Sequence, residues 1–257
     1  MKYFTELQEG IQDPNIFKAF FLAGGPGSGK SYVVRKTTGG SGLRIVNSDD
    51  AFELYLKKAG LSQKMPPEEE EPRDVERKRA KKVISARQDN YVEGRLGIII
   101  DGTGKDYDKI AKQSIQLRQL GYDTHMIFVN TSLDTALERN AKRDRSVPES
   151  IAIQSWKTVQ SNIGKFSQHF RQNFLVVDNN DATEDVMTPV FKQIKGLLRK
   201  KVTSPIAKQW VMQQMKDRGI TRAPKGWLKL HLSKYLCIRL EKWIYRFPPQ
   251  LFFLTFV

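Results

Sequence analysis

Eight consecutive residues, Gly24-Gly25-Pro26-Gly27-Ser28-Gly29-Lys30-Ser31, carry the most specific chemistry in the chain. A triphosphate needs many donors close together, and only glycine lets the main chain turn and approach tightly enough to aim several N–H groups at one anion. Gly24, Gly27 and Gly29 supply that freedom, and Gly25, Pro26 and Ser28 complete the turn. The Lys30 side chain is placed to reach the β- and γ-phosphates, and the Ser31 hydroxyl to hold Mg²⁺ at the start of the helix that follows. A strand-like run before the loop and a helical stretch after it make this a phosphate-binding loop for ATP with magnesium.

Phosphoryl transfer also needs a group that orients and deprotonates the acceptor hydroxyl, and cations that neutralise the moving phosphate. Asp49, at the end of the second strand-like run, is the candidate base, and Asp50 competes with it. Asp50 has a second reading as the cap of a helix expected near Ala51. Asp101 ends Ile98-Ile99-Ile100 and is expected to hold the magnesium or, with Thr103, the acceptor; the alternative is a turn aspartate before Gly102. Asp101-Gly102-Thr103 also looks like a phosphatase nucleophile motif, but that chemistry needs a second Asp where Ile99 stands, so a phosphatase is excluded. Arg139, Lys142, Arg143 and Arg145 follow a helix expected to begin near Leu133. Arg139 and Arg143 lie four apart, which on a helix gives one face able to grip the phosphate; Arg145 extends the cluster toward the acceptor. Ion pairing with Glu138 and Asp144 is the competing use of these cations.

These groups need a scaffold that brings them to one place. Five short apolar or β-branched runs read as buried parallel strands: residues 19–23, 43–46, 97–101, 125–130 and 174–178. Helix-like stretches separate them, which predicts an α/β fold with a doubly wound, mainly parallel five-stranded sheet. Right-handed crossovers place the carboxyl ends of all five strands on one edge. Each run is followed at once by polar or glycine residues, among them Asn47-Ser48-Asp49-Asp50, Asn130-Thr131-Ser132 and Asp178-Asn179-Asn180, so that edge is the expected ligand-binding edge.

Two regions break the alternation. Residues 54–95 read as a charged insertion, with Pro66-Pro67 leading into Glu68 to Glu71 and a mixed-charge helix through Arg87; a solvated helix on a flexible loop and a substrate lid are its two readings. Residues 1–200 then form the kinase-type domain and 201–257 a basic, aromatic-rich, helical appendage. The appendage holds 11 Lys/Arg against Asp217 and Glu241, so it supplies +9 of the net +15 and leaves +6 for the rest. Its Trp210, Trp227, Tyr235, Trp243 and Tyr245 either stack on bases beside phosphate-neutralising lysines or form the apolar side of a small helical unit.

With 257 residues and 39% hydrophobic content the chain is long enough for one α/β core plus a small appendage. The pI near 9.8 favours polyanionic partners. A single Cys237 excludes an internal disulfide, and Glu6, Glu9 and Asp13 stand where a leader would be basic, so a cytoplasmic protein is expected. The longest apolar run, residues 251–257, is far short of the roughly 20 residues of a membrane helix.

Together, the loop ending at Ser31, Asn47-Ser48-Asp49-Asp50, the strand ending Ile99-Ile100-Asp101, and Glu138 to Arg143 followed by Val147-Pro148 resemble the phage-type polynucleotide 5'-hydroxyl kinases and the wider zeta-toxin-like kinase group. The resemblance covers about residues 17–178. It implies a P-loop kinase fold, Asp49 as general base, Lys30 and Ser31 serving ATP and magnesium, and Arg139 and Arg143 acting on the phosphates. Three functions follow. The first is a kinase of a 5'-hydroxyl on a polynucleotide, in keeping with the basic charge. The second is a zeta-like kinase of a small acceptor such as a nucleotide sugar. This one is in keeping with Ser48 and Phe52 where polynucleotide kinases carry arginines. The third is an ATP-regulated binding or assembly protein.

Overall fold

A computed structural model of the chain describes residues 10–220 apart from 65, 144–146 and 181–183. The apolar runs become strands because they are buried: all six residues of β1 (Lys18–Ala23) are inaccessible, and β4 (Asp123–Asn130) is buried except at its ends. With β2 (Arg44–Val46), β3 (Ile98–Asp101) and β5 (Phe174–Asp178) they form one sheet in the order β2-β3-β1-β4-β5. Every pairing is parallel, so the carboxyl ends of all five strands share one edge, as expected.

Period-two alternation sends the strand residues to two different layers. Phe20, Leu22, Ile99, Ile127, Val129 and Val177 pack with Val33 and Val34 of α1 (Lys30–Thr38) on one face of the sheet. Val190 and Ile194 of α8 (Glu184–Arg199) complete that layer. On the other face Phe21 meets Phe170 of α7 (Ile163–Phe170), with ring centroids 5.7 Å apart. The crossover helices α2 (Ser48–Lys58), α4 (Tyr107–Gln119), α5 (Leu133–Ala141) and α6 (Glu149–Ser161) complete a three-layer α/β domain.

The insertion differs from the expected loop-borne helix. α2 runs on to Lys58, and the 24-residue α3 (Glu70–Glu93) extends past Arg87. The two helices pack together around Phe52, Leu56 and Ala80, with Arg77 over the Phe52 ring at 4.6 Å and Arg79 over Tyr55 at 4.7 Å. Most of α3 is exposed, and burying Ala80 and Ile84 along one side ties it to the domain.

The chain divides into two compact units, Met1–Gln214 and Met215–Val257. Within the first, Trp210 of α9 (Pro205–Asp217) packs edge-on against Phe17 at 5.5 Å, with the Arg95 guanidinium 5.6 Å from its ring. This tail aromatic is therefore half-buried against the domain, the packing alternative for it. Of the second unit only 215–220 are described, the end of α9 and a turn in which Ile220 N–H donates to Met215 O. Trp227, Tyr235, Trp243, Tyr245 and the apolar terminus lie outside the described residues. Among the described residues no helix is long and apolar enough to cross a membrane.

His125 is a buried histidine stacked on Phe20 at 4.8 Å, with no partner for either ring nitrogen among the described residues. Burial holds its pKa down to about 3, helped by the charges of Lys18, Lys200 and Arg118. A histidine depressed below its unfolded value of 6.5 contributes stability that is present above that pH and lost as pH falls toward 3. His125→Phe keeps the stacked ring and removes two unpaired nitrogens. The expected result is a melting temperature at pH 7 equal to or a few degrees above wild type, and a shallower fall between pH 6.5 and 4. Parallel acid slopes in thermal melts of the two proteins would show that His125 has no part in acid sensitivity.

Candidate active site

The glycine loop leaves β1 at Gly24, whose N–H donates to Thr103 O at 3.0 Å, so the end of β3 braces the start of the loop. Gly27 and Gly29 sit at φ 76° and 81°, left-handed values that a side chain resists. At Gly27 a Cβ would also overlap the Ala136 carbonyl of α5, and at Gly29 the Asn179 amide. Gly29 is the N-cap of α1 and offers no side-chain cap. The N–H groups of Gly27, Gly29, Lys30 and Ser31 find no acceptor among the described residues, leaving donors clustered at the positive end of a helix. That is an anion site by construction. Gly27→Ala combines left-handed strain of about 1–3 kcal/mol with a backbone collision. It is expected to weaken ATP binding roughly ten- to a hundredfold in calorimetric titration; unchanged affinity would mean that nucleotide binds a different loop conformation.

Lys30 folds back over the loop, its Nζ donating to Gly24 O at 2.7 Å. Burial lowers its pKa, the charges of Asp101 and Asp49 oppose this, and that of Arg143 adds to it. Four of the residues singled out in the sequence are thus close enough to feel one another. Burial raises the Asp101 carboxyl above the usual carboxylate range, against the pull of Lys30, and Asp49 and Asp50 push it further up. Lys30 is a cation beside Asp101 and Asp49 at this sheet edge.

The Asp pair lies on the first turn of α2, which begins at Ser48, earlier than expected. Asp50 does not cap it. The cap is Asn47, whose Oδ1 accepts Asp49 N–H at 2.8 Å and whose Nδ2 donates to Asp50 Oδ1 and Asp101 Oδ2, both at 3.2 Å. Sequence reasoning placed Asn47 on the ligand edge and gave it no role; its position directly before an Asp pair at a strand end was the available signal.

The arginine segment is arranged differently from a single helical face. α5 ends at Ala141 and Lys142 is its C-cap, so Arg139 lies on the helix and Arg143 beyond it. The Arg139 guanidinium donates to Asn179 O at 2.5 Å and Asn180 O at 2.8 Å. It is occupied with the loop after β5. That loop supports the phosphate loop from below, because the buried Asn179 Nδ2 donates to Ser28 O at 2.7 Å. Glu138 pairs with Lys142, as the surface alternative anticipated, and Arg145 lies outside the described residues. Two further supports were missed in the sequence. Trp156 of α6 donates Nε1–H to Thr131 O at 2.9 Å and lies beside Gly25. Asn162 donates to the carbonyls of Gly104 and Lys105.

A sequence model of the zeta toxin family matches residues 5–188, which includes every element of this edge. The chain belongs to the zeta toxin family. No curated protein gives a significant match. Among solved structures this zeta toxin family protein is similar to a gluconokinase from Sinorhizobium meliloti 1021, at 14% identity and a TM-score of 0.44, covering 77% of this chain and 98% of that one. It is similar to shikimate kinase from Acinetobacter baumannii in complex with shikimate, at 16% identity and a TM-score of 0.41, covering 72% and 94%. A candidate kinase from Chloroflexus aurantiacus gives 14% identity and a TM-score of 0.48, covering 72% and 97%. With a five-stranded all-parallel sheet and a glycine loop between β1 and α1, the zeta toxin family protein has an α/β fold of the P-loop kinase type.

The oxygen donors present suit magnesium. Ser31 is an exposed hydroxyl on the first turn of α1 and Asp101 a carboxylate at the end of β3, both hard ligands. Among the described residues no group of three or more His, Cys, Asp or Glu could hold a metal. Ser31 and Asp101 are the residues here that would hold a magnesium ion.

Proposed function

We propose that this zeta toxin family protein is an ATP-dependent kinase that moves the γ-phosphate of ATP onto a hydroxyl of a small acceptor of the nucleotide-sugar class. The observation that carries the reading is the convergence at one edge of an open glycine loop, Lys30, and the carboxylates Asp49, Asp50 and Asp101. The main-chain N–H groups of Gly27, Gly29, Lys30 and Ser31 cradle the phosphates. Lys30 leaves Gly24 O to follow the β- and γ-phosphates and balances the charge that spreads over the transferring oxygens. Asp49 accepts the proton of the attacking hydroxyl, with Asp50 orienting the acceptor beside it. Ser31 and Asp101 would hold magnesium, which would supply positive charge beside the phosphates.

Arg143, whose charge is felt at Lys30, is the described arginine of this segment suited to the transferring phosphate. Arg139 acts instead through the Asn179-Asn180 main chain, holding the phosphate loop in shape. A small acceptor is favoured because neither position that carries an arginine in polynucleotide kinases offers a cation. Ser48 opens α2, and Phe52 is 2% exposed beneath Arg77 of α3.

The net charge of +15 favours the second reading, a polynucleotide 5'-hydroxyl acceptor. Transfer from γ-labelled ATP to a panel of nucleotide sugars, a 5'-hydroxyl oligonucleotide and water decides between them. Label on the sugar supports the first reading, and label on the oligonucleotide overturns it in favour of the second. ATP binding with label on neither would leave a nucleotide-regulated binding protein.

A further inference from the structure

One neutral side chain at this edge makes three hydrogen bonds to functional elements. The Asn47 amide gives its oxygen to the first turn of α2, through Asp49 N–H at 2.8 Å. It gives its nitrogen to two carboxylates, Asp50 Oδ1 on α2 and Asp101 Oδ2 at the end of β3, at 3.2 Å each. β2 and β3 are neighbours in the sheet, so the residues after their carboxyl ends meet directly. Two carboxylates of like charge repel when brought together in a partly desolvated site, and a donor shared between them offsets that repulsion while setting their spacing.

Only some residue types could do this. Serine or aspartate caps a helix about as well as asparagine. Serine is too short to reach both carboxylates, and aspartate has no donor to offer and adds a further negative charge. The use of asparagine at position 47 is therefore not explained by helix capping alone.

We propose that Asn47 is a positioning residue that locks the acceptor side of the site, Asp49 and Asp50 on α2, to the magnesium side, Asp101 on β3, as one rigid unit. The proposal rests on the kinase reading above. Its division of labour follows from the amide: Asp50 and Asp101 are tied to each other through its nitrogen, while its oxygen holds the main-chain N–H of Asp49.

Asn47→Ser separates the two roles, because it retains the cap and loses the bridge. The expected kcat for phosphoryl transfer falls about 10- to 100-fold, the usual cost of removing a group that orients a ligand. The KM for ATP changes by less than about threefold, and the melting temperature stays within a few degrees of wild type. Asn47→Asp is expected to be at least as inactive, since it caps but repels. The double variant Asn47→Ser/Asp101→Asn should be no slower than Asp101→Asn alone, because the bridge acts through Asp101.

A measurement independent of turnover is the gain in ATP affinity on adding magnesium, read by calorimetry with wild type and Asn47→Ser. The gain is expected to shrink in Asn47→Ser while magnesium-free ATP affinity is unchanged. Full kcat and a full magnesium gain in Asn47→Ser would overturn the proposal, as would a loss of activity that tracks a loss of melting temperature. If wild type binds ATP but phosphorylates no acceptor, the kinase reading fails and the magnesium gain still decides the role of Asn47. If wild type binds no ATP, both readings fall.

Discussion

Lys30→Ala is expected to lower phosphoryl transfer roughly a thousandfold or more while leaving the fold intact. The side chain lies against the phosphate loop with a single hydrogen bond to Gly24 O at 2.7 Å, and its burial already works against its charge. Its removal therefore takes little from the core, whose residues lie on the strands and on α1 and α8 below the loop. What is lost is a fixed positive charge at the point where negative charge accumulates, in a partly desolvated site where such charges act strongly. Steady-state transfer assays and thermal melts run in parallel check both halves. Turnover near the wild-type rate would sink the assignment of this loop to catalysis, and an unfolded variant would show that Lys30 is structural.

The second large effect concerns the base. Asp49→Asn is expected to retain ATP binding and lose about 10²- to 10⁴-fold in transfer, since an amide can still hydrogen-bond the acceptor and cannot take its proton. Asp50→Asn is expected to be milder, because Asp50 is tied to the Asn47 amide at 3.2 Å and serves to orient. The comparison is informative because both residues occupy the same first turn of α2, where a carboxylate is favoured by the helix dipole whatever its catalytic use. Kinetic constants for both variants, with nucleotide affinity measured separately, give the answer. If Asp50→Asn is the inactive protein and Asp49→Asn retains turnover, the roles of the two carboxylates are exchanged.

The arginine segment shows how such roles escape a linear reading. Arg139 and Arg143 are spaced for one helical face, and the spacing holds only while the helix continues. α5 stops at Ala141, with Lys142 closing it in right-handed conformation, and nothing in Asn140-Ala141-Lys142-Arg143 marks that stop, since all four residue types are compatible with helix. The two carbonyls that occupy Arg139 belong to Asn179 and Asn180, some forty positions away, and reach it only because β5 pairs in register with β4, Asp178 beside Asn130.

Local chemistry was sufficient for much of this protein. The strands could be found because runs such as Ile98-Ile99-Ile100 and Phe20-Phe21-Leu22 are apolar on both faces, which only a sheet covered on both sides can bury. The phosphate loop could be found because left-handed turns and close main-chain approach demand glycine at fixed offsets, and Gly27 and Gly29 are strained positions for any other residue. The common edge followed from parallel strands and right-handed crossovers. Tertiary structure decided what depends on pairing between distant segments. Asn47, Asp49 and Asp50 are all competent helix caps by composition; Asn47 caps α2, and only the approach of β3 beside β2 brings Asp101 to its amide. The charged insertion resolved into a helix pair because Phe52 and Leu56 found Ala80 to pack against, and Trp210 packed against the domain because Phe17 lay within reach of it. In each case the residue types permitted two uses, and the choice was made by which partner the chain's long-range packing brought close enough to exclude water.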